Sequence, residues 1–173
     1  HKEGSLKMKK EELYRYIGNV EQMASIRKVK YMQGQEKGLN AHQVKNGVLD
    51  FTVMDDRCMD IGEISYKGMQ LNFLSKQGFQ GTEIPNAWDE IRSIMCGLFF
   101  TVGPDNIGGN FERDGNYYPL HGSFRLTPAQ DVNAVSEWNQ DDYDMSISGS
   151  VRKAALFGEN MVLRRKISTK AGS

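Results

Sequence analysis

The chain has 173 residues, and its 22 Lys plus Arg balance 22 Asp plus Glu, so its formal net charge at pH 7 is zero. That balance excludes a dedicated nucleic-acid binder, which carries a clear basic excess, and an acidic solvated tail. A hydrophobic share of 39%, a charged share of 25% and a mean hydropathy of −0.56 exclude a disordered chain and fit a folded domain with a real core.

The longest uncharged apolar stretch, Ile94 to Val102, falls far short of the roughly 18 residues that a membrane-spanning helix needs. The N-terminus is charged and lacks the apolar centre of a signal peptide, so the expected location is cytoplasmic and no membrane partner is expected. Cys58 and Cys96 are too few for a disulfide framework or a Cys-rich zinc site, and both read as small buried thiols.

The expected organisation is an N-terminal segment, residues 1–24, followed by one β-rich unit, residues 25–173. In the first, Leu13, Tyr14 and Ile17 share a helical face, which predicts a short helix over Lys9 to Gly18 with Gly18-Asn19 as its stop. From Ser25 the period falls to two, giving an extended segment up to Gln33-Gly34. Leu39 to Val44 and Val48 to Met54 then flank Lys45-Asn46-Gly47. Asn-Gly between alternating runs is the strongest short-range hairpin signal. Asp60 to Tyr66 and Met69 to Leu74, joined at Lys67-Gly68, continue an antiparallel meander.

Gly78 to Asn86 reads as loop, Ala87 to Ile94 as a short helix capped by Asn86, and Met95 to Val102 as a buried strand. Gly103 to Gly115 is too rich in glycine for either element and must be a shaped loop. Thr127 to Trp138 and Tyr143 to Val151 form a further pair, and Met161 to Ser168 alternates again. About nine strands with little helix predict an all-β, antiparallel sandwich or barrel. The last strand pattern is still running near Lys170, so the sheet is expected to be incomplete and the chain to be part of something longer.

The histidines are His1, His42 and His121, with no His-x-His pair, so no metal site is expected. His121 lies in Pro119-Leu120-His121-Gly122-Ser123-Phe124-Arg125. A glycine beside it allows close approach of a ligand, and imidazole exchanges protons near neutrality. Arg125 falls on the same face if this segment is extended. The competing reading is a satisfied histidine at a strand end. Asp55-Asp56-Arg57-Cys58-Met59-Asp60 sets three carboxylates around one arginine, either an ion-pair network, a sugar-site rim or a plain charged turn. Gly103-Pro104-Asp105-Asn106-Ile107-Gly108-Gly109-Asn110 lacks the Gly-Lys-Ser/Thr of a phosphate loop, which removes a nucleotide reading. Trp88 and Trp138 are sugar-stacking candidates, though tryptophan is more often core.

Taken in order, Asp56-Arg57-Cys58-Met59-Asp60-Ile61-Gly62, Gly103-Pro104-Asp105-Asn106-Ile107-Gly108, Pro119-Leu120-His121-Gly122, Val151-Arg152 and Leu156-Phe157-Gly158-Glu159-Asn160 resemble the aldose 1-epimerase-like proteins of the galactose mutarotase superfamily. The likeness is greatest to the branch carrying an early Asp-Arg-x-x-Asp-Ile-Gly segment. It spans roughly residues 48–167. The resemblance implies a large β-sandwich with a sugar cleft, of which this chain is the N-terminal part. It also implies cofactor-free anomer interconversion by acid/base ring opening, in which a base takes the anomeric proton and an acid protonates the ring oxygen.

On the match of His121-Gly122-x-x-Arg125, the resemblance carries over His121 as a proton-donating or sugar-binding residue. Arg125 is its site neighbour, with Arg57 and Asp105 as further cleft residues. The family's acid histidine and base glutamate belong to its second half. No histidine follows His121 here, and Glu159 sits in the wrong motif for that base. The implied partner is a small sugar or sugar derivative, with a homo-oligomer possible. The alternative on the same fold is a sugar-binding or sugar-sensing protein without chemistry.

Overall fold

The computed structural model describes residues 9–81, 90–98 and 100–173. The helix expected over Lys9 to Gly18 is a single turn, α1 (Lys10–Leu13), and none of its residues is buried. Without a covered apolar face, so short a segment has nothing to extend it. A 3₁₀ turn, Val20–Gln22, follows; a reciprocal capping box between Asn19 and Gln22 fixes its start.

Five antiparallel strands then form one sheet in sequence order: β1 (Ser25–Lys30), β2 (Asn40–Lys45), β3 (Leu49–Met54), β4 (Asp60–Tyr66) and β5 (Met69–Gln70). The β2–β3 turn sits at Asn46-Gly47 as the sequence predicts, but only Gly47 takes a positive φ, +90°. Asn46 acts through its side chain instead. Its Oδ1 accepts from the N–H groups of Val48 at 2.9 Å and Leu49 at 2.6 Å. Its Nδ2 donates to Thr169 Oγ1 at 2.8 Å and to the Ser173 carbonyl at 3.0 Å, so a turn residue of the first sheet grips the far end of the chain.

The run Met69 to Leu74 divides between two sheets. β5 ends the meander, while β6 (Phe73–Leu74) pairs with β7 (Cys96–Gly97). Among the described residues of the Met95 to Val102 run, only Cys96 and Gly97 lie in a strand. The short helix expected over Ala87 to Ile94 is a 3₁₀ turn at Glu90–Ser93, and Trp88 with the earlier part lies outside the described residues. β8 (Phe111–Arg113) and β9 (Asn116–Tyr118) make a small hairpin on the glycine-rich loop. After a 3₁₀ turn, Phe124–Leu126, the chain builds a second antiparallel sheet from β10 (Gln130–Asn139), β11 (Asp142–Ala154) and β12 (Asn160–Lys170). Among the described residues β12 pairs with β11 only.

The two larger sheets face each other as a β-sandwich. Val44, Phe51 and Val53 pack with Met145 and Ile147, joined by Ile26 and Ile167. Each such side chain fully removed from water contributes about 1.5–3 kcal/mol. The opposite side of the first sheet is covered as well, where Leu39, Ala41 and Met54 meet Phe79 and Cys96. Trp138 packs against Tyr143 (ring centroids 5.1 Å apart) and Tyr14 (6.0 Å), with Lys10 Nζ 5.2 Å over its ring. It pins the N-terminal turn to the second sheet.

Candidate functional site

The glycine-rich loop and the Pro119–Ser123 segment are laced together, and the lacing centres on His121. The His121 N–H donates to the Gly108 carbonyl at 2.9 Å, and its own carbonyl accepts from Gly103 N–H at 3.0 Å. Asn106 Nδ2 donates to the Pro119 carbonyl and to the Gly109 carbonyl, both at 2.8 Å. Leu120 N–H donates to Glu90 Oε2 at 2.9 Å. Asp105 accepts from Ser123 N–H at 3.0 and 3.1 Å and from Ser123 Oγ at 2.8 Å. Arg125 Nη1 donates to the Gly122 carbonyl. Within these contacts His121 has a φ of 59°, a left-handed conformation uncommon for a residue with a Cβ.

The histidine itself is half-buried. Its Nδ1 lies 3.3 Å from the Ile107 carbonyl, which can only accept, so Nδ1 carries the hydrogen and Nε2 is the acceptor of the neutral ring. The Phe100 ring stands 6.3 Å away, tilted by 45°. Behind it Phe111 and Tyr118 stack at 4.6 Å, with Lys153 Nζ 5.9 Å from the Tyr118 ring centre. Lys153 reaches from β11 to place Nζ 2.6 Å from Asp105 Oδ2 and so joins the second sheet to the loop.

Asp105 and Arg125 bond the two residues that follow His121, Arg125 the Gly122 carbonyl and Asp105 the Ser123 side chain. Arg125 lies in the Phe124–Leu126 3₁₀ turn, not on an extended strand, and is fully buried. Burial lowers its pKa first, and the nearby Arg57 charge adds to this, while Glu90 and Asp105 oppose it. Arg57 is likewise buried and donates to the Gln80 carbonyl at 2.8 Å. Burial lowers its pKa too, with Cys96 and Asp60 acting the other way. The three carboxylates beside Arg57 point to separate partners. Asp55 bonds His42 Nδ1 at 2.8 Å. Asp56 accepts from Asn40 N–H at 2.7 Å and from Asn40 Nδ2 at 2.9 Å. Asp60 accepts from Thr101 N–H at 2.7 Å, Thr101 Oγ1 at 2.6 Å and Arg165 Nη1 at 2.6 Å.

Sequence reasoning misses Glu90, Tyr117, Lys153 and Arg165. For Arg165 a signal exists: it is a charged residue at an inward position of the alternating β12, between Leu163 and Ile167. It bonds Asp60, Thr101 Oγ1 and the Cys58 carbonyl. Both cysteines are free and buried, and burial pushes each thiol's pKa up, which fits inert core thiols.

Burial would raise the Asp105 carboxyl, but the bonds from Lys153 and Ser123 outweigh it and hold its pKa below the usual carboxylate range. A group depressed on folding contributes stability that is complete above its unfolded pKa, about 3.9, and is lost as pH falls through the lower folded value. Thermal melts between pH 6 and 2 are therefore expected to show an acid loss that Asp105→Asn removes. Parallel curves for the two proteins would contradict this.

The fold defined by these sheets and loops is a mutarotase-like β-sandwich. It matches the crystal structure of a putative aldose 1-epimerase from Klebsiella pneumoniae subsp. pneumoniae MGH 78578 with a TM-score of 0.64 at 18% identity, covering 90% of this chain and 43% of that one. The chain thus spans less than half of that protein's length. It belongs to the family described as a domain of unknown function (DUF4432), which matches residues 36–173. No curated protein matches it. No helix among the described residues is long and apolar enough to cross a membrane.

Proposed function

We propose that the protein acts on a sugar or sugar derivative as an aldose 1-epimerase-like isomerase, opening and reclosing the ring without a cofactor. The observation that carries this reading is His121. Its backbone is bonded on both sides, one ring nitrogen is committed to Ile107, and the other is left to exchange a proton or hydrogen bond with a ligand. Asp105 and Arg125 bond Ser123 and Gly122 beside it, Arg57 is the further cleft residue of this reading, and the direct contact falls to His121. The chain is one part of such an enzyme, which the 43% coverage of the similar structure supports.

A second reading, sugar binding without chemistry, is favoured by one observation. The carboxylates nearest His121 are already engaged, Asp105 by Ser123 and Lys153, Glu90 by Tyr117 and Leu120. Neither is available as a base in the described site.

Saturation-transfer proton NMR over a panel of aldoses, using the full-length product of the reading frame, separates the two. Accelerated anomer exchange that His121→Ala abolishes, with cooperative unfolding retained, is the expected result. Ligand line broadening without exchange would favour the binding protein. Loss of cooperative unfolding in His121→Ala would make the histidine a fold residue and sink the proposal.

A further inference from the structure

Glu90 lies between the motifs that carry the resemblance to the mutarotases, yet it is placed to control His121. Its residue is 2% exposed, and both carboxylate oxygens are committed. Oε1 accepts from the Tyr117 hydroxyl at 2.5 Å, and Oε2 accepts from Leu120 N–H at 2.9 Å. Leu120 is the residue immediately before His121. On the other flank, Arg125 donates to the carbonyl of Gly122, the residue immediately after it. The Glu90 charge favours the charged form of Arg125, so the two buried groups support one another. A carboxylate and a guanidinium thus bracket the histidine from below, one ahead of it and one behind. Tyr117 extends the bracket, since its hydroxyl accepts from Asn110 Nδ2 at 2.9 Å.

Burying a carboxylate is costly, and an apolar side chain would fill the same space without that cost. What the carboxylate adds is direction, because hydrogen bonds to an ionised group are roughly twice as strong as neutral ones. Direction is what His121 needs. At a φ of 59° its backbone is held in a conformation that costs about 1–2 kcal/mol and relaxes unless neighbouring groups over-determine it. Relaxation would swing the ring away from the Ile107 carbonyl and release its tautomer.

We propose that Glu90 is a positioning residue for His121. Through Leu120 and Tyr117 it keeps the imidazole in its left-handed pose, with Nδ1 on Ile107 and Nε2 available to the ligand. The inference rests on the reading of His121 as the ligand-facing residue, and Glu90 acts through it without touching the sugar.

The test reads the His121 ring nitrogens by ¹⁵N NMR in the full chain and in Glu90→Gln, Glu90→Ala and Tyr117→Phe. The parent is expected to show one tautomer, protonated at Nδ1. Glu90→Ala is expected to give averaged nitrogen shifts, and Glu90→Gln and Tyr117→Phe partial averaging, because each keeps part of the bracket. Where anomer exchange is measurable, Glu90→Ala should lower kcat about 100-fold with a smaller change in KM, the effect of a misplacement of about 1 Å. A folded Glu90→Ala protein with parental His121 shifts would overturn the proposal. If that variant does not fold, parental shifts in Glu90→Gln overturn it equally. A parent that exchanges no sugar, alongside averaged shifts in the variants, would sink the isomerase reading and leave the positioning role standing.

Discussion

His42→Ala is expected to lose about 3–5 kcal/mol of stability, the cost of leaving a buried carboxylate without its hydrogen-bond partner. His42 points from β2 into the sandwich and meets Asp55 at 2.8 Å, with both side chains almost fully out of water. Asp55 also opens the turn after β3 that bears Arg57 and Cys58, and its carbonyl accepts from Ala129 N–H at 2.8 Å. Deleting the imidazole leaves a buried carboxylate without the side chain that bonds it. Its Oδ2 is already buried without a hydrogen bond among the described residues, so no second donor is in place to take over.

The same fact predicts a non-additive pair. His42→Ala combined with Asp55→Ala should cost clearly less than the two single losses together, because the second change removes the stranded charge. Urea unfolding of the four proteins checks this. With folding free energies usually about 5–15 kcal/mol, the single variant should show a large drop in midpoint. Additive losses would mean that the pair contributes by packing alone.

Gly122→Ala is expected to have the second largest effect, about 3 kcal/mol from left-handed backbone strain and overpacking together. Gly122 has a φ of +84°, and a Cβ there would lie 2.5 Å from Asp105 Oδ1 and 2.8 Å from the Asn106 carbonyl. Neither neighbour can retreat cheaply. Asp105 is tied to Ser123 and Lys153, and Asn106 belongs to the backbone that carries Gly108 to His121. The added methyl must therefore push the two loops apart at His121. Sugar binding or anomer exchange should fall at least 100-fold, consistent with misplacement of about 1 Å. A melt within 1 °C of the parent would show that the loops yield more easily than this packing allows.

The meander, the Asn46-Gly47 turn and the second sheet are legible because their information is local. Alternation places side chains on alternate faces, and glycine marks the turn. Legibility ends where distant segments decide. Arg125 would share a face with His121 in an extended segment but lies in a 3₁₀ turn, where Ser123 is held by Asp105. The Met69 to Leu74 run looks continuous, yet its two halves find different partners. Arg57 is legible as part of a charged turn but not as a buried residue bonded to the Gln80 carbonyl. Glu90 was invisible, since nothing near it in sequence announces that Leu120 and Tyr117 will arrive at its two oxygens.

The grip of Asn46 on Thr169 and Ser173 has a consequence for the order of assembly. It joins groups 123 and 127 positions apart, whereas β2, β3 and β4 meet their partners through tight turns. Hairpins of that kind close in about 1–10 μs, while long closures carry an entropy cost that only later contacts offset. The first meander is thus free to nucleate early, with the docking of β12 as the late, rate-setting event. Asn46→Ala should then slow folding, because it removes both the bonds to Val48 and Leu49 that close the early turn and those to Thr169 and Ser173 made as β12 docks.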